Sequence, residues 1–104
     1  GEQSRDFTYV DDMVEAFVTA ATHADAVGQA INFGSGRTTS IAELARRVVA
    51  ACESRSKVVH VAARAAEVAR LCCDAGRAHA LGWQPRVALD EGLRRNIAWA
   101  REQR

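Results

Sequence analysis

The sequence predicts an α/β fold with short strands and about four helices. Two observations predict it. Residues 5–10 alternate in the way of a half-buried strand and include β-branched and aromatic side chains. Three longer segments, which begin near Asp11, Ser40 and Leu89, carry apolar residues at helical spacing and so predict amphipathic helices. The chain has 104 residues, which suits one small domain.

A first helix is expected directly after the strand, with Asp11 as its N-cap. Apolar residues then follow at helical spacing: Met13, Ala16, Phe17, Ala20 and Ala21. The helix should fade over residues 23–25. Residues 30–33 then predict a second short strand, and the Gly-Ser-Gly sequence at 34–36 predicts a loop with backbone angles that other residues avoid.

The second helix has the clearest signal in the chain. Ser40 and Glu43 form a capping box, in which each side chain is expected to accept a hydrogen bond from the other residue's free backbone N–H. Apolar residues then repeat at helical intervals: Ile41, Leu44, Ala45, Val48, Val49 and Cys52. Because this helix is amphipathic, it must lie on a core.

The next segment is mixed. Residues 57–61 predict a third strand and residues 70–73 a short extended piece, while the Ala-rich stretch between them fits a loop or a helix. Asp74 is expected to cap a small helix that runs to Leu81. Gly82 follows at the position where a left-handed cap is needed.

A turn at residues 83–85 leads into the last helix, which begins near Leu89. The apolar face of this helix carries Leu93, Ile97 and Ala100. Ala88 occupies its natural N-cap position, so the capping box with Glu91 is half missing, at a cost of about 1 kcal/mol.

The charge of the chain argues against nucleic-acid binding. Fourteen bases and thirteen acids leave a formal net charge of +1, far from the basic face that such binding requires. The single lysine, Lys57, and the single tyrosine, Tyr9, exclude a closely spaced Tyr/Lys catalytic pair within this chain. No apolar run approaches the roughly 18 residues of a membrane span. Neither a nucleic acid nor a membrane is therefore an expected partner.

The cysteines and histidines do not predict a metal site. Cys52, Cys72 and Cys73 lack C-x-x-C spacing, so neither zinc ligation nor an ordinary disulfide is expected. Free cysteines fit the reducing cytosol, which predicts a cytoplasmic location. The histidines have no mutual spacing suited to a metal and are expected at the surface or half-buried: His23, His60 and His79.

The glycine loop at 34–36 lacks the third glycine of a dinucleotide-binding fingerprint, because that position holds Thr39. Ser35 also lacks the G-x-S-x-G context of an activated serine. Asp11 and Asp12 are explained by helix capping and by the helix dipole. No catalytic residue is therefore assigned.

Two arginines have a more specific interpretation. Arg5 opens a predicted strand and Arg64 follows one, which places both at the rim of a sheet. Two converging guanidiniums can clamp a diphosphate, since each charge-assisted hydrogen bond contributes about 1.5–3 kcal/mol. Spacing alone fits two solvated surface arginines as well, and taken by itself it favours them.

Five segments in order resemble one family. Residues 1–12 (GEQSRDFTYVDD) are similar to the G-x-Q-x-R-D-F-x-Y-V-x-D segment of extended short-chain dehydrogenases/reductases, the NAD-dependent sugar-nucleotide epimerases and dehydratases. Residues 30–36 and 39–44 resemble their Y-N-(V/I)-G-S-G and T-S-I-x-E-L segments. Residues 81–85 and 89–99 resemble their L-G-W-x-P turn and closing helix.

The resemblance implies that residues 1–104 are the C-terminal, nucleotide-sugar-binding portion of an extended Rossmann-type enzyme. The N-terminal Rossmann half of such an enzyme, with its glycine-rich NAD loop and Tyr-x-x-x-Lys pair, does not occur in this sequence. NAD or NADP is therefore expected in the parent enzyme, and none is expected to bind this portion alone. The portion is expected to be inactive by itself.

The resemblance also assigns binding residues. It implies that Arg5 and Arg64 contact the nucleotide diphosphate, that Asn32 lies near the nucleotide, and that Glu67 binds the ribose hydroxyls. The family has Pro-Gly where this chain has alanines at 65–66. If that glycine needs a positive φ, Ala66 is strained by about 1 kcal/mol, or the loop turns helical, and either outcome could swing Arg64 or Glu67 away.

An alternative function remains open. The chain is also consistent with a standalone, non-catalytic binding or oligomerisation module derived from this family. The amphipathic helices must bury their apolar faces against something, either the missing Rossmann half or a second copy in a homodimer.

Overall fold

The computed structural model describes residues 1–103 and confirms the α/β prediction with four helices. The elements in chain order are strand β1 (Ser4–Asp6), helix α1 (Val10–Thr22), a 3-10 turn (Ala24–Ala26), strand β2 (Thr38–Ser40), and helices α2 (Ile41–Ala51), α3 (Gly76–Ala80) and α4 (Leu89–Glu102). Within the described chain, no helix combines the length and the apolar character that crossing a bilayer requires.

The sheet has two short antiparallel strands. β1 pairs with β2 so that Arg5 lies opposite Thr39. On its other edge, Ser4 exchanges backbone hydrogen bonds with the segment after the Ala-rich stretch, since its N–H donates to Ala69 and its carbonyl accepts from Leu71. The strand predicted over 5–10 is therefore shorter than expected, because α1 already begins at Val10.

The prediction of Asp11 as the N-cap of α1 is wrong, because Tyr9 holds that position without a side-chain cap. Asp12, in the first turn, is buried, with 3% of its surface exposed. Its carboxylate accepts hydrogen bonds from the backbone N–H groups of Arg86 (3.0 Å) and Val87 (3.1 Å). Asp12 thus anchors the segment before α4 to the start of α1, a role beyond capping.

The core is small and lies between α1, α3 and the turn that follows α3. Its buried members are Ala16, Ala75, Ala78 and Trp83. Phe33 packs edge-to-face on Trp83, with ring centroids 5.1 Å apart, a geometry that aromatic pairs favour. Trp83 also donates its indole N–H to the backbone carbonyl of Asp12 at 3.2 Å.

Two predicted strands, 30–33 and 57–61, are absent from the described structure. Strands need a neighbour to satisfy their backbone groups, and no strand lies beside either segment. In the first segment, Ile31 and Phe33 pack on the core instead. The second segment runs as an exposed loop, with Val59 and Val61 among its exposed residues.

Helices α2 and α4 begin where the sequence signals predict. Ser40 accepts a hydrogen bond from the N–H of Glu43 at 3.1 Å, as the capping box predicts. The carboxylate of Glu43 bonds to Arg46 and Arg47 rather than completing the box. As expected, α4 begins at Leu89 without a side-chain cap.

Helix α3 differs from the prediction by one residue at its start. Ala75 is the N-cap, and Asp74 stands one position before it. The Asp74 carboxylate accepts a hydrogen bond from the N–H of Gly76 at 3.0 Å. Gly82 has a φ of +84°, so the left-handed residue after this helix is confirmed.

The carboxylate of Asp6 joins three separate segments. It accepts from the N–H groups of Ser35 (3.0 Å), Gly36 (2.8 Å) and Cys73 (3.2 Å), and from the Ser35 hydroxyl. Partial burial raises the pKa of Asp6, but these hydrogen bonds to the charged form outweigh that effect and hold the pKa below its ordinary 3.8. Gly34 completes the contact, since a Cβ there would lie 2.4 Å from the Cβ of Cys73.

The lowered pKa of Asp6 predicts a pH-dependent contribution to stability. The unfolded chain binds the proton more readily, so this contribution is complete above about pH 4 and is lost as the pH falls through the folded-state pKa. In Asp6→Asn, the deficit in unfolding free energy should therefore be largest near neutral pH and shrink toward pH 2. Chemical denaturation at several pH values measures it.

Other acidic residues also make the stability of the wild type depend on pH, so Asp6→Asn must be compared with the wild type at each pH. Hydrogen bonds from Arg94 and Arg95 lower the pKa of Glu91 to about 2, and similar bonds lower that of Glu43, so the wild type itself loses stability in acid. Asp25→Asn, on the exposed 3-10 turn, removes the same charge away from the glycine loop and serves as the control. A deficit in Asp6→Asn that stays constant across this pH range would contradict the role given to Asp6.

Candidate functional site

The structure brings two of the predicted binding residues together. Arg5 Nη2 lies 4.0 Å from Glu67 Oε1, and both side chains are about three-quarters buried, with 25% and 30% of their surfaces exposed. Gln3 Nε2 donates to the same Glu67 oxygen at 3.2 Å. Arg5 Nη1 also donates to the backbone carbonyl of Ser4 at 2.8 Å, which fixes the guanidinium on its own strand.

A turn at residues 64–67 places Glu67 in this position. The N–H of Glu67 donates to the carbonyl of Arg64 at 3.3 Å, and Ala66 has a φ of +60°. Of the two outcomes expected for Ala66, the structure therefore shows the strained backbone and not a helical turn. The pairing of Ser4 with residues 69–71 returns the chain to β1, so Glu67 faces the strand and is not swung away from it.

Arg64 and Glu67 line a cavity of about 460 Å³ between the loop 58–64 and the start of α2. Ile41, Ala42 and Ala45 supply an apolar wall from the helix. Among residues 1–103, the guanidinium of Arg64 makes neither a hydrogen bond nor an ion pair. A mainly apolar wall with an unpaired cation at its edge suits a ligand that has both an apolar and an anionic part.

Asn32 is not part of this group. It lies exposed between Ile31 and Phe33, whose side chains turn toward the core. Within the described chain, no hydrogen bond or ion pair joins Asn32 to Arg5, Arg64 or Glu67. Its predicted role near the nucleotide stays a prediction.

Gln3 is the site residue that sequence reasoning missed. It stands two positions before Arg5, and residues i and i+2 of an extended chain share a face. That spacing could have predicted that both side chains reach the same partner. No local pattern predicts that this partner is Glu67, which lies 64 positions away.

A second cavity, of about 410 Å³, lies between β2 and the start of α4 and contains none of the predicted residues. Three arginines line it, but Arg47 is paired with Glu43 and Asp90, and Arg86 lies 3.5 Å from Glu15. The third arginine, Arg37, forms no ion pair among residues 1–103, so ion pairing alone does not distinguish this cavity from the one at Arg64. In the described part of the chain, no group of three or more metal-ligating side chains comes together.

The chain is similar to sugar-nucleotide epimerases and dehydratases. A family model for GDP-mannose 4,6 dehydratase matches residues 1–96. UDP-glucose 4-epimerase of Mycolicibacterium smegmatis is 37% identical over 102 residues, covering 97% of this chain and 32% of that protein.

Solved structures agree with this match. A UDP-glucose 4-epimerase from Thermotoga maritima, solved with UDP-glucose, is 30% identical with a TM-score of 0.87, covering 99% of this chain and 33% of its own. MoeE5 in complex with UDP-glucose and NAD is 32% identical with a TM-score of 0.91, covering 99% of this chain and 35% of its own. The chain thus spans about a third of the length of the relatives that it matches.

The positive φ of Ala66, in the turn that positions Glu67, predicts how glycine at this position changes the stability of the chain. Ala66→Gly removes the penalty of about 1 kcal/mol for a left-handed alanine, and it adds roughly 0.5 kcal/mol of chain entropy to the unfolded state. We expect a net stabilisation of about 0.5 kcal/mol in denaturant unfolding. Ala65→Gly is the matched control, because Ala65 has no positive φ and the same change should destabilise. Equal effects of the two substitutions would contradict the strain at Ala66.

Proposed function

The chain belongs to the GDP-mannose 4,6-dehydratase family, within the extended short-chain dehydrogenases/reductases, and from this we propose that it binds the nucleotide diphosphate of a sugar-nucleotide substrate. The observation that carries the proposal is the cluster at the edge of β1. There Arg5 lies 4.0 Å from Glu67, and Arg64 stands unpaired at a cavity that Glu67 also lines.

Each residue of the cluster has a distinct part in the proposed site. Arg5 and Arg64 hold the two phosphates, since guanidinium groups form charge-assisted and often bidentate hydrogen bonds with phosphate oxygens. Glu67 accepts hydrogen bonds from the ribose hydroxyls. Asn32, which lies outside this cluster, is proposed to lie near the nucleotide. Binding energy at these remote groups holds the sugar for reaction at a cofactor, so this portion contributes positioning.

The residues present do not fit the dinucleotide cofactor itself. Its pyrophosphate needs free backbone N–H groups in a glycine loop. The N–H groups of Ser35 and Gly36 already donate to Asp6, and Thr39 replaces the third glycine. We therefore propose that NAD or NADP is held by a part of the parent enzyme outside this sequence.

Helix α1 has an exposed apolar face, which supports the proposal that another part of the enzyme packs on this portion. Val10, Val14, Phe17 and Val18 lie on one side of the helix and are 56–74% exposed, although surface helices normally turn such a stripe toward a core. Relatives of three times this length carry further chain that can cover it. We propose that the NAD-binding half of the parent covers this face. In the alternative, a standalone module, the same face joins two copies in a homodimer.

Nucleotide binding is tested by calorimetric titration of the chain with UDP- and dTDP-sugars. We expect saturable binding, and a loss of at least about tenfold in affinity in Arg5→Ala, since a charge-assisted hydrogen bond is removed. Arg101→Ala, at the exposed end of α4, removes an arginine away from the site and should bind as the wild type does. Absence of wild-type binding, or unchanged binding by Arg5→Ala, would overturn the proposal.

The exposed face of α1 predicts self-association of the chain when it is purified alone. Val14→Lys should weaken that association at least about tenfold, because burial of a valine is worth roughly 1.5 kcal/mol or more. Sedimentation velocity at several concentrations measures it. Val61→Lys is the control, since Val61 is 87% exposed in a loop away from α1. A wild type that stays monomeric and melts cooperatively would contradict the need for a cover on this face.

A further inference from the structure

We propose that Glu67 is an internal counter-ion of Arg5 that makes the site select nucleoside diphosphates over free phosphate or pyrophosphate. The inference rests on the proposed function and adds a basis for specificity to it. In this scheme, an incoming diphosphate displaces the carboxylate of Glu67 from Arg5. A nucleoside diphosphate then supplies the displaced carboxylate with new hydrogen-bond donors, whereas a free anion does not.

Glu67 and an incoming anion compete for the same guanidinium, that of Arg5. Glu67 Oε1 is the only acidic oxygen within 4.0 Å of Arg5 among the described residues, and it approaches the Nη2 atom from the loop side. The Nη1 atom is held by the carbonyl of Ser4 at 2.8 Å, so the guanidinium is not free to turn away from Glu67 toward a second anion. An anion that approaches Arg5 therefore meets a carboxylate already in place, and like charges repel each other.

The chemistry of the ligand decides whether the exchange is favourable. A carboxylate and a pyrophosphate are both hydrogen-bond acceptors, so pyrophosphate offers little to the displaced Glu67. A ribose offers hydroxyl donors, and hydrogen bonds to a charged acceptor are the stronger kind. The carboxylate thus loses its cation to either ligand but regains partners only from the nucleoside.

Gln3 and Arg64 suit this exchange. Gln3 Nε2 holds the same Glu67 oxygen at 3.2 Å, so the carboxylate has a partner on β1 and is kept near the site when it leaves Arg5. Arg64 has no acidic partner among residues 1–103, so its contact with a phosphate meets no competitor. Arg64 can therefore bind any phosphate. At Arg5 a phosphate must displace Glu67, and only a nucleoside then offers that carboxylate new hydrogen-bond donors.

The test is a pair of calorimetric titrations of the full chain, with inorganic pyrophosphate and with UDP. In Glu67→Gln we expect pyrophosphate affinity to rise about threefold, because a partly exposed ion pair that competed for Arg5 is gone. We expect UDP affinity to fall about tenfold, because a charged acceptor for the ribose is lost. Glu102→Gln removes the same charge from the exposed end of α4 and should leave the ratio of the two affinities unchanged.

The opposite signs distinguish this inference from a simple change of charge. If Glu67→Gln raises or lowers both affinities together, Glu67 does not make the site select nucleoside diphosphates, and the inference is wrong while the proposed nucleotide site stands. If pyrophosphate affinity does not change, Glu67 does not compete for Arg5 and the inference is overturned. If the wild type binds no UDP, both the inference and the proposed function fail. Circular dichroism melts of each variant confirm that the fold is kept.

Discussion

The carboxylate of Asp6 joins β1 to two other segments of the chain. Among residues 1–103, the buried core cluster consists of Trp83 and three alanines, so apolar packing alone gives the chain little to define its shape. Asp6 joins β1 to the glycine loop and to the segment before α3 by accepting three backbone N–H groups. A carboxylate satisfied in this way is stabilising and also specific, because each donor must occupy one position.

That constraint also arranges the candidate site. Neighbouring residues of an extended strand project to opposite faces. With Asp6 bound to the loop on one side, Arg5 is presented on the other side, where Glu67 meets it. Gln3 shares the face of Arg5 and reaches the same carboxylate. The same contact leaves Ser35 and Gly36 without free N–H groups, so the feature that displays the arginine also prevents the loop from serving as a dinucleotide cradle.

Local signals in the sequence predicted the parts of the fold whose cause is local. Ser40 predicted the start of α2, and Gly82 predicted the left-handed residue after α3, because a cap and a positive φ depend on a few adjacent residues. The strands expected over 30–33 and 57–61 did not form, since a strand depends on a partner that periodicity does not reveal. The glycine that the family has at the position of Ala66 predicts the strained turn, whereas no local signal predicts the contact of Gln3 with Glu67.

The ion pair of Arg5 and Glu67 also orders the side chain of Arg5. Without a partner, the guanidinium of Arg5 would sample many rotamers. The ion pair with Glu67 and the hydrogen bond to the Ser4 carbonyl restrict it. The strained turn at Ala66 is the backbone cost of bringing the acid to this place. Arg5 is therefore ordered before any ligand of the proposed site arrives.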